Sequence, residues 1–440
     1  MDKIIVTGGR KLRGEVEVSG AKNAALPMMA AALLTDQESI IENVPNLKDI
    51  RTMLDLLNSL GAKGEYRDGT VTITPGNTLV PVAPYELVST MRASVCVLGP
   101  LLARVGNAEV SLPGGCVIGP RPIDLHLKGL EALGASTEIR HGYVHARMHK
   151  RLRGNDIYLG GAFGSSVLAT ANVMMAATLA RGQTTIEDAA CEPEIVDLAC
   201  FLIRMGAKIQ GVGSKRIEIE GVNKLHGAKT AIIADRVEVG TYLFAAAMTG
   251  GDVLVKKADP NHQNVVIDKL RQAGARVDRG KSSIRVRRTG RLQPVNVTTL
   301  PYPGFPTDLQ AQMMALMTIT PGISVITEKI YPDRYMHVSE LNRMGSRIFL
   351  EGPSAIVQGV KRLSGAPVMA SDLRASAALV IAGLVAEGST EIHRVYHLDR
   401  GYERIEEKLS QLGAAISRQK EQVPEQKSDS SMALELEAVG

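Results

Sequence analysis

Six times along its 440 residues the chain writes one short phrase: Leu60-Gly61-Ala62-Lys63, Leu133-Gly134-Ala135-Ser136, Met205-Gly206-Ala207-Lys208, Ala273-Gly274-Ala275-Arg276, Met344-Gly345-Ser346-Arg347 and Leu412-Gly413-Ala414-Ala415. The glycines stand 68 to 73 residues apart. Each phrase follows an amphipathic run, such as residues 50–60, and leads into a strand-like stretch, as from Ile209 or Val277 onward. Glycine just past a helix supplies the left-handed backbone that stops it without a Cβ clash. The repeated unit therefore reads helix, glycine stop, strand.

A second phrase is interleaved with the first. Ala32-Leu33-Leu34 and the segments ending at Gly106, Gly182, Gly250-Gly251 and Gly388 each close an Ala/Met-rich run and precede β-branched residues such as Thr184-Thr185-Ile186. A unit of about 70 residues is too large for a solenoid repeat of roughly 20–45. Six units divide instead as three and three. The length points the same way, because one core rarely serves more than about 250–300 residues. The Ala/Met-rich helices are apolar on most faces, which predicts burial, with the sheets outside. The expected fold class is α/β, as two similar domains of three βαβ-type repeats each, six repeats in all, helices inside and sheets outside.

With no Trp and five Phe, the cores must be filled by Leu, Ile, Val, Ala and Met, which suits thin repeated layers. The 51 Lys+Arg against 46 Asp+Glu leave only +5, spread along the chain. That pattern argues against a nucleic-acid partner and fits small anions equally well. No signal peptide is expected from the opening Met1-Asp2-Lys3-Ile4-Ile5-Val6. The longest apolar stretches, near 375–386 and 173–180, fall short of the ~18 residues a spanning helix needs. A cytoplasmic chain with no membrane insertion is expected. Cys96, Cys116, Cys191 and Cys200 lack metal-site spacing, so neither metal nor cofactor is expected. Residues 419–440, rich in Gln, Glu, Lys and Ser, are expected to form a flexible or loosely docked tail.

Several runs hold residues suited to chemistry. Ser19-Gly-Ala-Lys22-Asn23-Ala-Ala-Leu-Pro27 places a lysine after a glycine at a helix start. That is either a phosphate site or a solvated lysine in a turn. Residues 111–121 form a loop with three Gly and two Pro around Cys116. A thiol there, with an ordinary pKa of about 8.5, is protonated near neutrality and able to donate a proton, whereas Cys96, Cys191 and Cys200 read as inert buried residues. Asp308, after two prolines, reads first as a helix cap, and Asp372 also begins a helix. Arg374 beside it opposes the helix dipole and wants an anionic partner. Arg334 and Arg400 lie in loops and, with Arg92 and Arg121, would suit phosphate and carboxylate groups.

Taken in order, the runs at 19–27, 90–94, 112–126, 192–197, 305–312, 372–376 and 399–404 resemble the UDP-N-acetylglucosamine 1-carboxyvinyltransferase (enolpyruvyl transferase) family of bacterial cell-wall synthesis. The resemblance covers roughly residues 1–418. It implies two inverse α/β domains, 22–233 with the cysteine loop and 1–21 joined with 234–418. It implies phosphoenolpyruvate and UDP-N-acetylglucosamine as substrates, with no obligate protein partner identified. Carried over by motif, Lys22 and Asn23 would hold phosphoenolpyruvate, and Arg121, Arg374 and Arg400 would bind its phosphate and carboxylate. Cys116 would be the general acid on a lid and the target of fosfomycin, and Asp308 would take the proton of the sugar 3-hydroxyl. Arg92, Arg121, Pro122, Ile123, Asp124, Leu125, Ser165, Ser166, Val167 and Ile330 would contact the UDP-sugar, with Asp372 and Arg334 completing the site. One departure stands out: Gly164 occupies a position where many relatives carry a lysine; residues 164–167 could still offer backbone N–H groups to the diphosphate, and Lys150 or Arg153 could replace the charge. The resemblance leaves two alternatives, transfer to shikimate 3-phosphate and an inactive UDP-sugar-binding regulatory paralogue.

Overall fold

A computed structural model of the chain describes residues 2–112 and 123–420. Among them are six four-stranded sheets of one design. In the first, Lys229–Ala231 runs parallel to Ser39–Glu42, which pairs antiparallel with Thr70–Pro75, itself antiparallel to Ala62–Arg67. The other five repeat the same order of one parallel and two antiparallel pairings. The six glycines of the repeated phrase all have φ between +87° and +100°, the region only glycine enters freely.

Closure of the sheets is not sequential. Lys229–Ala231, which follows the third unit, completes the sheet of the first. Arg13–Glu17 completes the sheet around Asp252–Lys256, and Asp2–Thr7 is inserted between Ser389–His393 and Ala415–Lys420. The result is two hydrophobic cores, one drawn from residues 21–232 and one from 4–18 together with 237–414. The chain passes between them twice, near Gly20 and near Ala234, which bridge each other.

Three helices lie at the centre of each core: Lys22–Ala31, Leu98–Val105 and Val167–Ala177 in the first, Arg236–Thr249, Gln310–Thr318 and Ala375–Gly383 in the second. Every residue of the last two is buried. Apolar side chains, mostly Ala, Met, Leu, Ile and Val, make up most of both and let helix pack on helix and sheet, with Gln310, Gln312, Thr318 and Ser376 as the buried polar exceptions. The flanking helices are amphipathic; Lys48–Ser59 buries Ile50, Met53, Leu54, Leu56 and Leu57, one face at helical spacing. Among the described residues no helix is long and apolar enough to cross a membrane.

Two expectations fail. Cys200 is exposed, because it falls on the outer face of Pro193–Arg204, whose buried face is Ile195, Leu198, Ala199, Phe201 and Leu202. The strand ending the second core also continues through Lys420, with Gln419 opposite Lys3 and Lys420 opposite Asp2. Residues 419 and 420 are therefore strand rather than tail, since backbone pairing needs no apolar side chains. The rest of the expected tail, 421–440, lies outside the described residues.

Candidate active site

Each central helix begins at a chemically active residue. Lys22 opens the first, and Arg92 opens the short turn Arg92–Val97 that runs into Leu98–Val105. Ser166 caps Val167–Ala177, its Oγ accepting from the Ala169 N–H at 3.3 Å, and Asp235 caps Arg236–Thr249. Asp308 lies in the turn Thr307–Leu309 before Gln310–Thr318, and Asp372 and Arg374 precede Ala375–Gly383. Helix starts carry unpaired N–H groups and the positive end of the dipole, so they favour anions.

The side chains at these starts form linked ion pairs. Lys22 Nζ lies 2.6 Å from Asp49 Oδ2, and Arg400 Nε lies 3.0 Å from Asp49 Oδ1. Arg400 comes from the second core and Asp49 from the first; Arg400 also donates to the Thr90 carbonyl at 3.3 Å. Arg334 is buried between two carboxylates, donating to Asp308 Oδ1 at 2.7 Å and to both oxygens of Asp372 at 3.1 and 3.2 Å. It also donates to Thr307 Oγ1 at 3.1 Å. Arg374 pairs with Asp235 at 2.8 Å, donates to the Gly401 carbonyl, and stacks over Tyr402. Its Nε is buried without a partner.

Burial drives the Lys22 ammonium pKa downward; Asp49 opposes, while Arg374 and Arg400 push the same way as burial. Burial raises the Asp49 carboxyl, but Lys22 and Arg400 outweigh it and hold Asp49 below the usual range. Asp372 is also held below that range. Burial and Asp308 oppose this, and Arg334 together with the Arg374 and Ala375 N–H groups wins. Asp308 is the exposed member of its set, at 29% of its side chain against 1% for Asp372.

Neither Asp308 nor Arg334 matches its simplest sequence reading. Asp308 is not a helix cap: the turn is entered through Pro306, with no side-chain capping bond. Arg334 is not a solvated loop arginine, because two carboxylates repay its desolvation. Asp372 does serve as a cap, accepting the Arg374 and Ala375 N–H groups with Oδ1, while also holding Arg334.

The remaining expected contacts spread around this centre. Asn23 is exposed beside Lys22, and Arg92 is half-buried. Burial first, and Arg92 second, push the enclosed His126 down to about 3. Ile123 is buried, Leu125 half-buried and Asp124 exposed at the start of Asp124–Ala132. Ser165, Ser166 and Val167 are half-buried at the second strand of a small hairpin and the helix start after it. The Ile330 N–H donates to Glu328 Oε1 at 2.8 Å. Lys150 and Arg153 are exposed. Cys116, Arg121 and Pro122 lie outside the described residues.

Gly164 sits in that hairpin with φ +95°, and a Cβ there would come within 2.7 Å of Pro301 Cγ. The hairpin belongs to the first core's segment and Pro301 to the second's, so glycine permits their close approach. Gly164→Lys is therefore expected to lower stability by about 1–2 kcal/mol through left-handed backbone strain and the clash. A thermal midpoint at or above that of the parent protein would contradict this.

Asp49 and Asp235 escaped sequence reasoning. Asp49 lies in the first turn of an amphipathic helix, where an acid is ordinary dipole complement. Its burial depends on Lys22 and Arg400, 27 and 351 residues away. Asp235 does cap a helix, and its second oxygen reaches Arg374, 139 residues on.

Comparisons with known proteins give the chain its family. Residues 6–409 match the family described as EPSP synthase (3-phosphoshikimate 1-carboxyvinyltransferase). The UDP-N-acetylglucosamine 1-carboxyvinyltransferase of Methylacidiphilum infernorum is 56% identical over 418 residues, covering 95% of this chain and 99% of the relative. That of Desulfatibacillum aliphaticivorans is 57% identical over 420 residues, covering 96% and 100%. Among solved structures, the enolpyruvyl transferase NikO from Streptomyces tendae superposes with a TM-score of 0.86 at 24% identity, over 96% of this chain and 99% of its own. EPSP synthase from Acinetobacter baumannii superposes with 0.74 at 18% identity, over 96% and 100%; at these identities the likeness speaks for the fold, two inverse α/β halves. With full-length relatives more than half identical and a family model matching residues 6–409, the chain belongs to the UDP-N-acetylglucosamine 1-carboxyvinyltransferase family of enolpyruvyl transferases.

Proposed function

We propose that the protein transfers the enolpyruvyl group of phosphoenolpyruvate to the 3-hydroxyl of UDP-N-acetylglucosamine, releasing phosphate, the first committed step of peptidoglycan synthesis. We further assign the two cores to domains 22–233 and 1–21 with 234–418, the strand end adding residues 419 and 420 to the latter. The observation that carries the reading is one ion-pair centre with two faces: Lys22, Arg374 and Arg400 as cations, and the partly exposed Asp308, held by Arg334, as the carboxylate.

The reaction asks for that division. The sugar oxygen attacks C2 of phosphoenolpyruvate, and its proton passes to a base. The C3 methylene takes up a proton, giving a tetrahedral ketal. Loss of a C3 proton and of the phosphate then leaves the enol ether. Asp308, oriented by Arg334, is the base. Arg334 is itself fixed by Asp372, so the carboxylate is aimed before substrate arrives. Lys22, Arg374 and Arg400, with the helix starts behind them, hold the phosphate and carboxylate and stabilise charge developing on the departing phosphate. Cys116 is assigned as the acid toward C3 from its sequence context, with Arg121 as a further cation. Arg92, Ile123–Leu125 in sequence (123–125), Ser165, Ser166, Val167 and Ile330 surround the nucleotide sugar in this reading. Localisation in the cytoplasm follows from the substrates.

Phosphate release with the two candidate acceptors tests the assignment. It is expected with UDP-N-acetylglucosamine and absent with shikimate 3-phosphate. Release with shikimate 3-phosphate alone would replace the acceptor, and release with neither would favour a regulatory binding protein. In the same assay Cys116→Ser is expected to lose most sensitivity to fosfomycin, because the oxygen is a far weaker nucleophile than a thiolate.

A further inference from the structure

The four cations at the centre, Lys22, Arg334, Arg374 and Arg400, are matched by four carboxylates, Asp49, Asp235, Asp308 and Asp372. Three of the carboxylates have evident work. Asp235 and Asp372 cap helices, and Asp308 is the proposed base. Asp49 has none of these uses. It makes no capping bond at its own helix, whose start is Leu47. Instead its two oxygens meet Lys22 and Arg400, two of the cations assigned to phosphoenolpyruvate, one from each core. Both Asp49 and Lys22 are only 4% exposed.

A carboxylate shared between an ammonium and a guanidinium is the geometry in which a substrate carboxylate or phosphate would bind. We propose that Asp49 is a positioning residue and internal counter-anion of the phosphoenolpyruvate subsite: it draws Lys22 and Arg400 to one point across the two cores and yields part of their bonding to the incoming anion. This rests on the reading of Lys22 and Arg400 as that subsite. Two consequences oppose each other. Asp49 competes with any anion for the two cations, and it holds them at the spacing turnover needs. If Asp49 did no more than keep Lys22 charged, its removal would weaken anion binding; as a counter-anion it is replaced by the incoming phosphate, whose own charge keeps Lys22 protonated beside Arg374 and Arg400.

The test uses inorganic phosphate, the released product, as the probe in the full-length enzyme. In the parent protein phosphate is expected to compete with phosphoenolpyruvate; absence of competition would sink the subsite reading itself, separately from the role of Asp49. Given competition, Asp49→Asn is expected to bind phosphate about three- to tenfold more tightly, since one negative charge within ion-pair distance is gone. Its kcat is expected to fall about tenfold, since Arg400 loses its anchor. Phosphate binding unchanged or weaker overturns the proposal. Asp49→Glu keeps the charge but displaces it by one methylene, and serves if the Asn variant does not fold. It is expected to hold phosphate affinity within about twofold while kcat falls about tenfold; parent-level kcat there overturns the proposal as well.

Discussion

Asp308→Asn is expected to lose at least about 10³-fold in kcat while KM for the nucleotide sugar moves less than about threefold. The asparagine is nearly isosteric and its carbonyl still accepts from Arg334, whose NH1 lies 2.7 Å from Asp308 Oδ1. The ion-pair centre therefore keeps its shape and loses a base. Folding is expected to change little, because Asp308 is the exposed end of the array and Asp372 continues to hold Arg334. Steady-state kinetics with a circular-dichroism melt as control read both effects. Turnover near the parent rate would remove Asp308 from the mechanism, and a kcat loss matched by an unfolding shift would make its role structural.

The second large effect falls on stability. Arg334→Met removes the cation between Asp308 and Asp372 and leaves Asp372 buried without its ion-pair partner among the described residues. Breaking a buried pair from one side costs about 3–5 kcal/mol. Two backbone N–H groups remain on Asp372, which places the expectation toward the lower end. In the parent protein the folded-state pKa of Asp372 lies below its unfolded value. It therefore contributes stability above that unfolded value, about 3.9, which is lost as the pH falls through the folded one. Without Arg334, burial dominates and the folded pKa rises above the unfolded one. The sign then reverses: the variant gains stability relative to its own pH 7 value as the pH is lowered toward 5. Denaturant melts of variant and parent at pH 7 and pH 5 check this: Asp372 leaves the parent unchanged across that window, and a variant that gains no stability relative to the parent between the two would contradict it. Adding Asp372→Asn is expected to restore part of the loss, so the two substitutions are non-additive by more than about 1 kcal/mol.

How much of the site was legible depends on how far its physics reaches along the chain. Lys22, Asp308, Asp372, Arg374 and Arg400 stood out because each sits beside a glycine, a proline or a helix start, all local signals. Their partners did not. Asp49 looks like any acid in a first helical turn, and Asp235 like any cap, until Arg400 and Arg374 are brought beside them. Arg334 looks solvated until two carboxylates enclose it. Cys200, on a strongly apolar helix, reads as buried although its angular position turns it outward.

What the chain carries in its own order is the unit: six helix stops whose glycines all take positive φ, apolar helices that must be buried, and amphipathic helices that cover them. These follow from short-range sterics and from periodicity, which a reader of the sequence shares with the folding chain. Tertiary structure alone decided the closure. Lys229–Ala231 completes the first sheet, Arg13–Glu17 the fourth and Asp2–Thr7 the sixth. It also decided the charge balance, which lets four cations and four carboxylates share one centre, buried except at Asp308 and Arg400. The physical reason is common to both. A strand edge accepts any backbone, and a buried charge is tolerated only beside its opposite, so neither choice is written in local composition.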